Sequence, residues 1–101
     1  MTFADSWNSI QNSLDPGAQV KNWTAAKGYL GDVFTIVQVS PAHVVVSSPE
    51  AKNQQSVPKQ DFQKLHGVWP GYCAGSVQRQ EIRDMTRFSK YIISILHHIE
   101  S

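Results

Sequence analysis

Four basic side chains recur at helical spacing near the end of this 101-residue chain: Arg79, Arg83, Arg87 and Lys90. In one continuous helix over residues 77–99 they would fall within an arc of about 80°. Like charges one turn apart repel by roughly 0.2–0.5 kcal/mol per pair, so a bound anion, an acidic partner or a nucleic-acid backbone would stabilise this stripe. Glu81 and Asp84 could instead neutralise it, which would leave an ordinary solvated face.

The same stretch could form two helices, because Thr86 is both a fair N-cap and a tolerable interior residue. A last helix that begins at Arg87 would place Arg87 and Lys90 in its first turn. The helix dipole disfavours cations there by roughly 0.3–1 kcal/mol each, which would strengthen the case for a bound anion. The sequence leaves both alternatives open.

A second candidate site consists of aromatic side chains that join a large apolar body to a polar tip: Trp23, Tyr29, Trp69 and Tyr72. Residues of this type suit pocket walls and subunit interfaces. Small domains also fill their cores with them, and core packing is the interpretation that the sequence favours.

The spacing of the histidines does not indicate a metal site. The chain has no H-x-x-x-H pair, and the adjacent His97 and His98 would point about 100° apart on a helix. Their position favours the negative end of the last helix dipole. We therefore expect no metal and no cofactor.

Cys73 could act as a nucleophile with His66 as base and Asp61 as orienting carboxylate, but sequence cannot show the geometry that such a triad needs. A buried, inert cysteine is the favoured interpretation. Phosphate-binding loops and hydrolase motifs of the G-x-x-x-x-G-K-[ST], G-x-G-x-x-G and G-x-S-x-G types do not occur. We therefore expect a protein that is not an enzyme.

The composition predicts one globular domain over residues 1–101. A net charge of +1 excludes the polycations that bind nucleic acid by charge alone. No apolar run approaches the length of a membrane span, no secretory signal is evident, and one cysteine cannot form an internal disulfide. We expect a cytoplasmic protein that does not bind membranes.

Hydrophobic spacing predicts a short amphipathic helix over residues 4–14, with Asp5 and Ser6 capping it, and then a turn at Asp15-Pro16-Gly17. A weak strand pattern covers residues 19–29, and Gly28 and Gly31 are expected to bracket a loop. Residues 33–39 and 43–48 form the best predicted hairpin, followed by a short strand near residues 56–57.

The remaining third of the chain shows helical periodicity. Phe62, Leu65, Val68 and Trp69 share one face of a predicted helix that Pro70 should end or kink. Ser76 is expected to cap a following helix that carries Val77, Ile82 and Met85 inward. In the last helix, Ile95 lies at the centre of the apolar face. This order predicts an α+β fold, in which C-terminal helices pack on an antiparallel sheet of three or four strands.

Three segments of this part carry a resemblance to known sequences: Trp69-Pro70-Gly71-Tyr72, residues 79–84 and Ser89-Lys90-Tyr91-Ile92-Ile93. They resemble the C-terminal half of short uncharacterised bacterial proteins, including those encoded by integron gene cassettes. The resemblance covers about the last forty residues. It implies a small α+β protein that tends to form homo-oligomers, and it transfers no functional residues.

The sequence thus predicts a non-enzymatic interaction module that acts as a homo-oligomer, most simply a dimer. The basis is an apparent excess of aromatic and β-branched residues over what a core of this size encloses. One alternative is a nucleic-acid-associated protein that uses the basic helix face. Another is a small-molecule binding protein with a pocket near Trp69 and Tyr72.

Overall fold

A computed structural model describes residues 2–49 and 51–100. In this part of the chain, one four-stranded antiparallel sheet is preceded by one helix and followed by four. The elements are α1 (Phe3–Ser13), β1 (Gln19–Thr24), β2 (Gly28–Val39), β3 (His43–Ser47), β4 (Gln55–Pro58), α2 (Lys59–His66), α3 (Trp69–Ala74), α4 (Arg79–Met85) and α5 (Ser89–Glu100). The predicted α+β fold is confirmed.

The N-terminal helix begins with a capping box. Thr2 is the N-cap and accepts a hydrogen bond from the Asp5 backbone N–H, while the Asp5 carboxylate accepts one from the Thr2 N–H. Asp5 therefore takes part in the cap, whereas Ser6 is buried and contacts His66. Trp7 and Ile10, three positions apart on one side of this helix, are buried in the core, as an amphipathic helix requires.

The strands follow sequence order, β1-β2-β3-β4, so each pairs with its chain neighbours. Alternation along the strands places one set of side chains on the helix side, where they are buried: Val20, Phe34, Ile36, Val44, Val46 and Val57. The predicted hairpin of β2 and β3 is present, and the short fourth strand lies where residues 56–57 indicated it. The opposite face carries Thr35 and Val45, which are half-buried.

The expected loop between Gly28 and Gly31 is wrong, because these residues belong to β2. The strand accommodates its extra residues in a bulge: Lys21 pairs with Val33 and Trp23 with Tyr29, so three residues of β2 oppose one of β1. Gly31 supplies the positive φ of +95° that the bulge needs. The bulge lets β2 run on to the β1–β2 turn and brings Tyr29 and Leu30 to that end of the molecule.

Pro70 does not end a helix, contrary to the sequence prediction. The helix with Phe62 and Leu65 ends at His66, with Gly67 as its C-cap, and Pro70 lies in the first turn of α3. Proline is favoured there because the missing N–H would have no partner inside the helix. A new helix therefore begins at Trp69 and turns its aromatic residues toward the sheet.

Residues 77–99 form two helices, not one. Thr86 is the C-cap of α4, with extended backbone at φ −158° and ψ 140°, and α5 begins at Ser89. The Thr86 hydroxyl donates to Asp61 and accepts from the Phe88 N–H, so contacts from α2 hold the break. Gln78 caps α4, whereas Ser76, the predicted cap, bonds to the Gly71 carbonyl.

The last helix closes one hydrophobic core shared by all the layers. Two apolar residues on each side of Ser94 are fully buried: Ile92, Ile93, Ile95 and Leu96. The same core takes in Trp7 from α1 and Phe62 from α2. Over residues 2–49 and 51–100, no helix combines the length and apolar character needed to cross a bilayer.

Candidate functional site

The structure does not place the four basic residues on one face. Arg87 lies over the ring of Phe88, with its guanidinium carbon 4.8 Å from the ring centroid. The Lys90 Nζ lies 4.0 Å from an Asp32 carboxylate oxygen. Only Arg79 and Arg83, both on α4, line the same cavity. The break at Thr86 therefore reduces the predicted stripe to a pair.

Contacts on the other sides of α4 fix the direction in which this pair points. Ile82 is fully buried against α2 and α5. At the start of the helix, the Gln78 N–H donates to the Glu81 carboxylate at 2.6 Å, which completes a capping box. Arg79 Nη1 donates to the Ser89 hydroxyl at 2.9 Å. One side chain of the pair is thus anchored, whereas Arg83 is exposed at the mouth of the cavity.

The cavity, here called the turn cavity, lies between the β1–β2 turn and the chain from α3 to α4, and has a volume of about 690 Å³. Its first wall is Thr24, Ala25, Ala26, Lys27 and Leu30. Its second wall is Tyr72, Cys73, Ala74, Gly75, Val77, Gln78, Arg79 and Arg83. Small apolar side chains and three cations therefore share one space.

Two hydrogen bonds hold the first wall. The Lys27 N–H donates to the Thr24 hydroxyl at 3.1 Å, which closes the turn. The Ala25 N–H donates to the Tyr72 hydroxyl at 3.1 Å, which joins the turn to α3. Because Tyr72 is buried and its phenol reaches across, the turn cavity has a fixed floor.

The four aromatic residues singled out in the sequence do come together, through a fifth ring. His97 stacks on Trp23 with centroids 3.9 Å apart and meets the edge of Tyr29 at 5.5 Å. Trp23 contacts Trp69 at 6.1 Å, and Trp69 stacks on Tyr72 at 5.9 Å. We call these five residues the aromatic cluster.

Burial changes along the aromatic cluster from one end to the other. Trp69 and Tyr72 are 4% exposed, Trp23 is half-buried, and Tyr29 is 57% exposed. Beside Tyr29, Leu30 is 47% exposed, and these two are the exposed large hydrophobic residues of the described chain. The cluster is therefore buried at α3, where Tyr72 also lines the turn cavity, and exposed at the hairpin end, where Tyr29 lies.

Cys73 is exposed, so its predicted burial is wrong. It lines a smaller cavity of about 400 Å³ together with Trp69, His97 and Glu100, whose carboxylate accepts a hydrogen bond from the Trp69 indole N–H. Partial burial raises the pKa of the Cys73 thiol, and the charge of Glu100 raises it further. The group therefore stays a thiol at neutral pH and is a weak nucleophile.

His97 is likewise poorly suited to activate Cys73. Partial burial lowers the pKa of its imidazole, Glu100 acts in the opposite direction, and His98 lowers it again. A neutral imidazole beside a protonated thiol does not form the thiolate–imidazolium pair that thiol enzymes use.

The other members of the hypothetical triad serve structural contacts elsewhere. The His66 Nε2 lies 3.1 Å from the buried Ser6 hydroxyl, which connects α1 and α2. The Asp61 carboxylate accepts from Thr86 at 2.9 Å. Within residues 2–49 and 51–100, no three His, Cys, Asp or Glu side chains form a group that could hold a metal ion.

Sequence reasoning missed two parts of the site. His97 was assigned to the helix dipole, and no local pattern relates it to Trp23, which lies 74 positions earlier in the chain. Lys27 was treated as part of a weak strand. The available signal was Gly28, which directly follows Lys27 and favours a tight turn there.

Comparison of the chain with protein-family models, curated proteins and solved structures found no match. The resemblance to cassette-encoded bacterial proteins stays a prediction.

Proposed function

We propose that this protein is a non-enzymatic binding module and that the turn cavity is its binding site. The observation that carries the proposal is that the pair of arginines and the exposed Leu30 line this one cavity together. Ligand sites combine an apolar lining with a few placed polar groups in this way, in cavities of roughly 300–1,000 Å³.

A role without catalysis is supported by the state of the reactive side chains nearby. Cys73 borders the cavity, but its raised pKa keeps it protonated. Arg79 and Arg83 carry planar guanidinium groups, which suit the binding of anions rather than proton transfer. A cytoplasmic location belongs to the same proposal, since a single cysteine forms no internal disulfide.

The experiment is an NMR screen of the full chain against a fragment set that contains neutral, anionic and cationic compounds at about 1 mM each, a range that detects binding free energies near −4 kcal/mol. We expect the amide signals of Ala25, Lys27 and Gly75 to shift. The amides of Val44 and Val46, in the core strand, serve as internal controls. Bound fragments should be recovered with unchanged mass.

If no fragment of any charge moves the cavity amides, the binding function is wrong. If a fragment binds there and is recovered as a different compound, the non-enzymatic part is wrong while the site stands.

Self-association is a second candidate function, and one feature of the sheet favours it. The face opposite the helices presents small and β-branched side chains in register, with Thr35 beside Ser47 and Val45 beside Ser56. We propose a second copy of this chain as its occupant, because such a face is complementary to itself across a two-fold axis. The sequence-based argument for self-association was an excess of aromatic and β-branched residues over what the core encloses. It is weaker than expected, because the core encloses most of the aromatic residues and leaves Tyr29 and Leu30 as the exposed large hydrophobic residues of the described chain.

The nucleic-acid alternative receives less support than these two. A phosphate backbone needs several cations along an extended surface. Here Arg87 contacts Phe88, and Lys90 lies near Asp32.

A further inference from the structure

The charged side chains that line the turn cavity are cationic. They are Lys27, Arg79 and Arg83, and no Asp or Glu of residues 2–49 and 51–100 belongs to the lining. Of the two acids of α4, Glu81 lies next to the lining, because its carboxylate accepts a hydrogen bond from the Gln78 N–H, whereas Asp84 accepts one from the Gln80 amide. Three cations thus face one neighbouring carboxylate. The cavity therefore concentrates positive potential in a protein whose net charge is only +1.

The surroundings of Arg79 disfavour the positive charge of its guanidinium. It is half-buried, and both its burial and the charge of Arg83 lower the pKa of its guanidinium, while Tyr72 raises it. An anion bound beside this guanidinium would oppose both effects, because an opposite charge favours the charged form. Its bond to Ser89 uses one of five N–H donors, and the planar group suits an oxyanion bound through two others.

The rest of the lining fits a ligand that is larger and more apolar than a bare inorganic ion. Leu30, Val77 and Ala26 present apolar surface, and the volume of about 690 Å³ is far larger than one phosphate needs. Burial of an apolar body against these residues would contribute roughly 25 cal/mol per Å².

We infer that the ligand of the turn cavity is a small amphipathic anion, in which a carboxylate or phosphate group binds Arg79 and Arg83 and an apolar body lies against Leu30 and Val77. This inference rests on the binding function proposed for the cavity. The two anionic groups share the recognising chemistry, and separate probes distinguish them.

The test compares four probes that share an octyl chain and differ in the head group: octanoate, octyl phosphate, octanamide and octylamine. Each is titrated into the full chain, and the dissociation constant is read from the shifts of the Ala25 and Gly75 amides. We expect octanoate or octyl phosphate to bind at least about tenfold more tightly than octanamide, and octylamine to bind most weakly.

Three charge-matched variants locate the anion. Arg79→Gln and Arg83→Gln should each weaken binding of the preferred anion by about tenfold to a hundredfold, whereas Arg87→Gln, which lies outside the cavity, should not. If Arg79→Gln does not fold, Arg83→Gln still tests whether the anion binds at this pair, because Arg83 is exposed. Circular dichroism establishes the folded state of each variant.

The outcomes separate the two proposals. Equal affinity for octanamide and octanoate, or equal loss in Arg87→Gln, overturns the anion inference and leaves the binding function in place. If none of the four probes moves the cavity amides, yet fragments of other shapes do, the amphipathic anion is likewise overturned. If the fragments fail as well, the binding function is wrong.

Discussion

Single residues decide how closely the walls of the turn cavity approach each other. Gly71 is the clearest case, because the chain after α3 folds back directly over it. A Cβ at this position would lie 2.8 Å from the Val77 Cγ2 and 3.2 Å from the Ser76 hydroxyl. The Gly71 carbonyl also accepts hydrogen bonds from the Ser76 and Val77 N–H groups. A side chain here would therefore push Val77, which lines the cavity.

We expect Gly71→Ala to destabilise the fold by about 1–3 kcal/mol, since the branched Val77 cannot move aside freely. The free energy of unfolding would be measured by urea denaturation. Gly67→Ala is the matched control. Gly67 has φ −61°, and the nearest atom to a new Cβ there would be the Lys64 carbonyl oxygen, at 3.4 Å. Alanine there should be neutral or stabilising by up to about 1 kcal/mol. Equal stability of both variants would contradict the close approach at Gly71.

Residue types alone could not have shown which side chains meet. Trp23, Tyr29, Trp69 and Tyr72 were grouped by their amphipathic character, and the structure brings them together. The ring that joins two of them, His97, carries no signal of that contact in its neighbours along the chain. For Cys73, the residue type gave the wrong prediction. Free cysteines are usually buried, but α3 places this one on the surface.

Among the elements, hydrophobic spacing predicted the interiors of helices and strands well and their ends poorly. The positions of α1, β3 and α5 follow from apolar periodicity that acts over a few residues. The break at Thr86 depends on Asp61, which lies 25 positions away. At the start of α3, Trp69 contacts Trp23, which lies 46 positions earlier in the chain. Such ends are set by tertiary contacts that a local pattern does not contain.

For α5, we expect Ile95→Ala to cost about 2–5 kcal/mol in the free energy of unfolding, because the side chain is fully buried and its removal leaves a cavity. Ile99→Ala deletes the same atoms on the same helix from a half-buried position and should cost clearly less. Chemical denaturation followed by circular dichroism measures both. A loss below about 1 kcal/mol for Ile95→Ala would show that the core is packed differently around α5.

For the whole molecule, the helices and the sheet share one hydrophobic core, and the two candidate binding surfaces have no residue in common. The turn cavity lies at the end of the β1–β2 hairpin, whereas the open face of the sheet centres on Thr35 and Val45. The sequence predicted this layered architecture, because strands and helices are segregated along the chain. It could not predict the cavity, since its walls come from residues about 50 positions apart.

Because the two surfaces have no residue in common, self-association is testable on its own. A standard interface of about 800 Å² per partner would cover about one seventh of the 5693 Å² surface, an area within reach of a four-stranded sheet face. We expect light scattering after gel filtration to report a mass near twice 11.3 kDa at micromolar concentration. Val45→Lys places a charge at the centre of the open face and should give the monomer mass, because an unpaired ammonium would be buried in the dimer.

Gln63→Lys is the control, since it adds the same charge at an exposed position on α2. A dimer that persists in Val45→Lys would move the interface away from the sheet, and the exposed Tyr29 and Leu30 would then be the next surface to test. A monomer mass for the unaltered chain across the accessible concentration range would exclude self-association. It would leave ligand binding at the turn cavity as the remaining function, because that site is complete within one copy of the chain.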